Sequence, residues 1–144
     1  MKKKVVISVI VILIAIQFIA IDKTLPEREP GSDFFEQHTA SPEVLNAFKS
    51  ACYDCHSAET VYPWYTRIQP LGWWIAGHIK GGRQKLNLSA WATYDEERKQ
   101  HKIEEMAEEI ENKSMPLTSY LIGHSDARIS EEQRKIMADW LRSL

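Results

Sequence analysis

The sequence of 144 residues has only two cysteines, and no second cysteine pair that could complete a four-ligand zinc site. It also has no glycine-rich phosphate loop, no serine-elbow motif and no paired metalloprotease histidines. No segment alternates apolar and polar residues in the way that a half-buried strand does. We therefore predict an all-α protein and expect no catalytic site of these common enzyme classes.

Positive charge is not in excess, because the formal net charge is −2. The three lysines of Lys2–Lys4 precede an apolar run, so the remainder of the chain is more acidic than this total. A protein that binds nucleic acid normally presents a basic surface to the phosphates. We therefore expect no nucleic acid among the partners.

Both cysteines fall in the sequence Cys52-Tyr53-Asp54-Cys55-His56, which is the attachment pattern for c-type haem. Each thiol can add to one vinyl group of the porphyrin, and this spacing lets one short turn reach both. The adjoining imidazole then lies under the iron and can bind it. A redox disulfide normally occurs in a βαβ context, which this sequence lacks. We predict one covalent haem c, held by Cys52, Cys55 and His56.

An apolar run from Val5 to Ile21 follows the three lysines. Its length is near the lower limit for a transmembrane helix, about 17–25 residues, and the lysines favour a cytoplasmic N-terminus. A cleaved signal peptide is the alternative, but no good small-x-small site follows the run. We predict a transmembrane signal-anchor over 1–21, a linker over 22–40 and a haem-binding domain over 41–144. The domain would lie on the periplasmic side of the bacterial cytoplasmic membrane.

Capping signals predict three long helices in the domain. Ser41 precedes a proline, Thr93 or Asp95 precedes an acidic turn, and Ser130 with Gln133 forms a capping box. Apolar residues recur at helical spacing in each of these segments. In the second helix the predicted buried stripe is Ile103, Met106, Ala107 and Ile110.

Between the first two of these helices the chain is rich in aromatic residues and proline, from Val61 to Trp74. Aromatic rings bury much area, so this segment suits the wall of a large flat apolar group, although it could also be an ordinary core cluster. A short helix is predicted over 71–80, ended by Gly81 and Gly82.

The sixth iron ligand is predicted to be Met115. It lies at the end of the acidic helix, where Pro116 disfavours further helix in the residue before it. The other methionines are the initiator or lie in apolar stripes, where methionine usually packs in the core. The alternatives are His78, His124 or an open coordination site.

A pair of amphipathic helices, the haem motif at the end of the first, and a later Met-Pro loop together resemble class I cytochromes c. A closer likeness, over about 41–144, is to the small bacterial haem-binding domain family, which is anchored by one N-terminal helix. The residues that carry it are Cys52–Ser57, Pro63–Tyr65, Gly82-Arg83, Leu86–Trp91 and Met115–Tyr120. The resemblance implies a cytochrome c-like helical domain around one covalent haem. The long acidic helix is a departure from ordinary cytochromes c.

Further expectations concern the groups around the haem. The second ring nitrogen of His56 should donate a hydrogen bond to a backbone carbonyl. The resemblance to cytochromes c favours the carbonyl of Pro70 as the acceptor. Haem propionates need cationic or hydrogen-bonding partners. The residues predicted for this role are Tyr65, Arg67, Trp74 and Arg83.

The function expected from these features is electron transfer. The protein would be a membrane-tethered monohaem cytochrome that passes single electrons between partner proteins of a respiratory chain. It would not be an enzyme. The alternative is a haem-based sensor or a peroxidase-like enzyme with an open or displaceable sixth site. A structural or haem-carrying module is a third class, for which no redox partner is expected.

Overall fold

A computed structural model describes residues 2–144, which form eight α-helices and four short 3₁₀ segments and contain no strand. The α-helices are α1 (Lys2–Ala15), α2 (Phe34–Gln37), α3 (Pro42–Ala51), α4 (Tyr53–His56), α5 (Leu71–Lys85), α6 (Glu96–Glu111), α7 (Thr118–Leu121) and α8 (Glu131–Arg142). The 3₁₀ segments are Ile16–Phe18, Trp64–Arg67, Leu88–Thr93 and Ser125–Ala127. The protein is all-helical, as the sequence predicted.

The predicted transmembrane helix over 1–21, of which Met1 lies outside the described residues, is wrong. Helix α1 has 14 residues, so it is about 21 Å long at about 1.5 Å per residue, against about 30 Å for the hydrocarbon core of a bilayer. Beyond its end, Gln17 forms two hydrogen bonds with the backbone of Gln69, at 3.0 and 2.9 Å. Within residues 2–144, none of the helices combines the length and apolar character that a membrane crossing requires. The predicted single-pass location in the cytoplasmic membrane is therefore wrong as well.

The three long helices of the domain begin where their capping signals predicted. The hydroxyl of Ser41 accepts a hydrogen bond from an amide in the first turn of α3, at 3.3 Å. Asp95, rather than Thr93, caps α6, and its carboxylate accepts a hydrogen bond from the amide of Arg98 at 2.8 Å. Ser130 and Gln133 form the reciprocal capping box at the start of α8. Such caps satisfy amides that have no partner within the helix.

The core lies between α3, α6 and α8, and the predicted stripe of α6 is buried in it. The largest fully buried apolar side chains are Trp91, Phe34, Phe48, Leu88, Met137 and Leu141. Phe34 belongs to the segment predicted as a linker, yet its ring packs edge-on against that of Trp91 with centroids 4.7 Å apart. Burial of one such side chain stabilises the fold by about 1.5–3 kcal/mol. The core therefore includes part of the 22–40 segment.

Helix α5 continues to Lys85 instead of ending at Gly81, so the predicted end of this helix was wrong. Glycine within a helix costs about 1 kcal/mol relative to alanine, but Gly82 permits a close helix contact. A Cβ atom there would lie 2.7 Å from the carbonyl oxygen of Cys55, whereas one at Gly81 would have nothing within 4 Å. Helix α5 therefore packs on α4 through a position where any side chain would force the two backbones apart.

The two adjacent glycines provide a matched test of this contact. Gly82→Ala should lower the free energy of unfolding by about 1–3 kcal/mol, because an added methyl group forces packed backbones apart. Gly81→Ala should leave it unchanged or raise it by up to about 1 kcal/mol, because alanine favours helix. Urea unfolding of both variants would measure the difference, and equal shifts would contradict the packing described.

Candidate functional site

The haem motif begins at the last turn of α3 and continues through α4. The amide of Cys52 donates to the carbonyl of Phe48 at 2.9 Å, and the hydroxyl of Ser57 donates to the carbonyl of Tyr53 at 2.7 Å. Tyr53 is buried, and both cysteines are free and half-buried. The two helices thus hold both cysteines on a defined backbone.

The two thiols lie in apolar surroundings. Burial raises the pKa of Cys52 to about 12, with a further contribution from charge on Cys55. Burial also raises the pKa of Cys55 to about 11, and the neighbouring Asp54 adds to that shift. Redox-active CxxC motifs have a lowered thiol pKa instead. The surroundings of this pair are therefore those of structural or attached cysteines, not those of a reactive dithiol.

The ring of His56 is held by the backbone that follows α5. Its Nδ1 atom lies 3.1 Å from the carbonyl oxygen of Leu86, and burial lowers the pKa of the ring. A carbonyl can only accept, so Nδ1 carries the proton and Nε2 keeps its lone pair, which is the form that binds a metal. The predicted backbone partner is confirmed, but its assignment to Pro70 was wrong. Leu86 takes this place because α5 extends beyond its glycines and brings the following residue to His56.

Two cavities flank the motif. The smaller has a volume of about 110 Å³ and is lined by Cys52, His56 and Met115 together with Phe48, Lys85, Leu86, Leu88, Glu105, Met106, Glu109 and Ile110. The larger has a volume of about 420 Å³, and Cys55, His78 and His124 line it. The structure therefore brings Met115 to the same cavity as His56. The two alternative histidines lie at the other cavity.

Met115 is fixed through its backbone. Its amide donates to the carbonyl of Glu109 at 3.1 Å, and its own carbonyl accepts from the guanidinium of Arg134 at 2.8 Å. Arg134 lies on α8, is only 9% exposed, and donates from the same nitrogen to the carbonyl of Ile110 at 2.7 Å. The buried arginine thus joins the end of α6 to the loop that carries the methionine.

Of the residues predicted to contact propionates, the structure places the two arginines differently. Arg83 donates from Nε to the carbonyl of Ser57 at 2.7 Å and from Nη2 to the hydroxyl of Thr60 at 2.5 Å. It therefore positions the segment that follows the haem motif. Arg67 is exposed at the end of a 3₁₀ segment.

The two aromatic residues predicted for the same role, Tyr65 and Trp74, line the larger cavity. They are thus on the side of Cys55 and not in the cavity that His56 and Met115 share. Contact of any of the four residues with a propionate stays a prediction.

Three contributors to the site were missed by sequence reasoning. Leu86 acts through its carbonyl, which carries no side-chain signal, and Lys85 places a cation at the smaller cavity. Arg134 did leave a signal. It stands three and four residues before Met137 and Ala138 on the buried face of α8, and an arginine in an apolar stripe needs a buried acceptor.

The side chains at the smaller cavity fit a haem iron in their chemistry. An imidazole with a free Nε2, a thioether and the thiol of Cys52 line the same space, and the thiol of Cys55 lines the larger cavity. These groups are known ligands and attachment points of haem. At about 110 Å³ the cavity is below the usual size of ligand pockets, about 300–1,000 Å³. This cavity by itself is therefore too small for a porphyrin.

The helical fold and this set of donors define a small all-α haem protein. A family model described as a haem-binding domain matches residues 11–143, which is most of the chain. The protein belongs to this haem-binding domain family. No curated protein and no solved structure matches the sequence.

The two arginines permit a controlled test of the segment after the motif. Arg83→Met should lower the free energy of unfolding by about 2 kcal/mol, because hydrogen bonds to a charged group contribute about 1.5–3 kcal/mol and their acceptors would lose a partner. Arg67→Met, at an exposed position, should change it by less than about 0.5 kcal/mol. Thermal unfolding followed by circular dichroism would separate the two, and similar melting temperatures would contradict the role given to Arg83.

Proposed function

We propose that the protein is a monohaem c-type cytochrome that transfers single electrons between redox partner proteins of a respiratory chain. Cys52 and Cys55 would hold the haem through thioether bonds, and Nε2 of His56 and the thioether of Met115 would bind its iron. The bound haem would supply one-electron chemistry as its iron alternates between the ferric and ferrous states. The chain would supply attachment, ligands and burial, without catalytic residues.

The observation that carries this proposal is the shared cavity of His56 and Met115. Two side chains that bind the same iron atom must face a common space. His78 and His124 line the other cavity, which favours methionine over a second histidine. Ligation by methionine raises the potential of a haem relative to two histidines.

Two protein ligands would leave no open position on the iron, and this favours electron transfer over a sensor or a peroxidase-like enzyme. The carbonyl of Leu86 supports the same role, because a fixed imidazole keeps its orientation in both oxidation states. The burial that lowers the pKa of His56 also keeps the ring neutral and able to bind metal.

Covalent attachment is the first expectation to test. Acid-acetone extraction under denaturing conditions should leave the haem on the wild-type chain, because thioether bonds survive loss of the fold. The Cys52→Ala/Cys55→Ala double variant should release all of its haem. Intact-mass spectrometry of each extracted chain would show the difference. Release of all haem from the wild type would exclude the c-type attachment.

The sixth ligand can be tested with two methionines that line the same cavity. Met115→Ala should remove the weak long-wavelength band that ferric haem shows with a methionine ligand, and it should let the ferrous protein bind carbon monoxide. Met106→Leu should keep that band, because its side chain belongs to the buried stripe of α6. Optical spectra of the oxidised and reduced proteins would report both effects.

The wild-type ferrous protein should not bind carbon monoxide at neutral pH. If it does, an open or displaceable site exists and the electron-transfer proposal loses its support. If Met115→Ala keeps a wild-type low-spin spectrum, the methionine assignment is wrong. His78→Leu and His124→Leu would then show which histidine binds the iron.

A further inference from the structure

The segment that carries Met115 runs along the haem motif from one cavity to the other. Met115 lines the smaller cavity with Cys52, while Tyr120 lines the larger cavity with Cys55. A haem bonded to both cysteines would enter both cavities, so both belong to the haem site of the proposed function. The segment 115–120 therefore borders that site along its length.

This segment is attached to the rest of the protein at both of its ends. At one end, the carbonyl of Met115 accepts a hydrogen bond from Arg134 of α8 at 2.8 Å. At the other end, the hydroxyl of Tyr120 donates at 2.8 Å to Oδ2 of Asp54, which lies between the two cysteines of the motif. We infer that Tyr120 is a positioning residue for the proposed sixth ligand, because its hydroxyl ties the methionine segment to the haem motif itself. The inference rests on the proposed function, in which Met115 binds the iron.

The bond between Tyr120 and Asp54 is a strong hydrogen bond. A carboxylate acceptor makes such a bond shorter, and roughly twice as strong, as one between neutral groups. Burial and the charge of Asp54 raise the pKa of Tyr120, so the phenol keeps the proton that it donates. The same hydroxyl lies 3.2 Å from the carbonyl of Ser50 in the last turn of α3. Tyr120 therefore contacts both the motif and the helix that leads into it.

Asp54 is itself held firmly, so it can serve as a point of attachment. Its Oδ1 accepts a hydrogen bond from the amide of Val61 at 2.8 Å, and its carbonyl accepts one from the hydroxyl of Thr60 at 2.6 Å. The two carboxylate oxygens thus bind two different segments of the chain. The side chain of Asp54 is only 22% exposed, so water competes little for the bond to Tyr120.

The ring of Tyr120 is held in its orientation by His124. The two rings stack with centroids 4.0 Å apart and planes 13° apart. Nδ1 of His124 also lies 3.1 Å from the carbonyl of Tyr120, so the imidazole contacts both the ring and the backbone of the tyrosine. The phenol therefore loses little further freedom when it bonds to Asp54.

The hydrogen bond opposes the movement that would release the methionine. A thioether that leaves the iron takes its segment with it, and that movement would separate Tyr120 from Asp54. An added ligand that competes for the sixth position binds only the fraction of the protein in which the methionine has left. Loss of the hydrogen bond should therefore raise the apparent affinity for that ligand.

The test uses the purified full-length protein with its haem in the ferric state, and imidazole as the competing ligand. Tyr120→Phe should bind imidazole about tenfold more tightly than the wild type, because it keeps the ring and removes only the bond to the carboxylate. Tyr62→Phe should match the wild type, because that tyrosine lines neither cavity beside the motif. Optical titration would measure each apparent Kd, and circular dichroism would confirm that each variant is folded. An affinity of Tyr120→Phe within about twofold of the wild type would overturn the inference.

A double-mutant cycle shows whether Tyr120 acts through Asp54. Asp54→Ala should also raise the affinity for imidazole, since it removes the acceptor. Adding Tyr120→Phe to Asp54→Ala should then change the affinity by less than about twofold, because the bond is already absent. A further increase equal to that in the wild-type background would show that Tyr120 acts elsewhere, and would overturn the inference as well.

The outcome can be separated from that of the proposed function. If Met115→Ala opens the iron to carbon monoxide while Tyr120→Phe leaves the imidazole affinity unchanged, only the positioning role is contradicted. If Met115→Ala keeps the wild-type spectrum, the assignment of the sixth ligand is contradicted. Hydrogen exchange followed by mass spectrometry would then show whether the segment 115–121 opens faster in Tyr120→Phe. Faster exchange there would mean that the tyrosine holds the segment without positioning an iron ligand.

Discussion

The position of the haem motif depends on one buried carboxylate, Asp33, which is 2% exposed. It accepts hydrogen bonds from the hydroxyl of Tyr53 at 2.7 Å, the amide of Phe35 at 3.0 Å and the hydroxyl of Ser89 at 3.3 Å. Burial and the bond to Asp33 raise the pKa of Tyr53, so the phenol keeps its proton. A buried polar group without hydrogen-bond partners is strongly destabilising. The three donors to Asp33 therefore hold together the segment before α3, helix α4 with the haem motif, and the segment after α5.

The parts of the fold that could be predicted from the sequence are those that depend on interactions between residues a few positions apart. The caps at Ser41, Asp95 and Ser130, and the buried stripe of α6, depend on side chains that meet amides or the core within one or two helical turns. Local spacing contains that information. The haem motif was predictable for the same reason, since its three groups lie within five residues.

The parts that sequence could not predict depend on contacts between distant residues. The carbonyl of Leu86 is 30 residues from His56, and Gly82 of α5 packs against the carbonyl oxygen of Cys55 in α4, 27 residues earlier in the chain. The transmembrane helix predicted from the apolar run at the N-terminus was wrong for a different reason. Its composition suits a membrane, but composition does not determine where a helix ends, and α1 ends at Ala15.

The hydrogen bond between Arg134 and the carbonyl of Met115 makes the support of the proposed sixth iron ligand depend on the last helix of the chain. During synthesis Cys52 and Cys55 are added to the chain many residues before Arg134. The proposed attachment points are therefore present before α8 has been made. The loop around Met115 acquires its buried partner only when the final residues have been added. A shortened chain that ends before α8 would therefore keep the proposed attachment points, yet lack the buried partner that holds the loop of Met115.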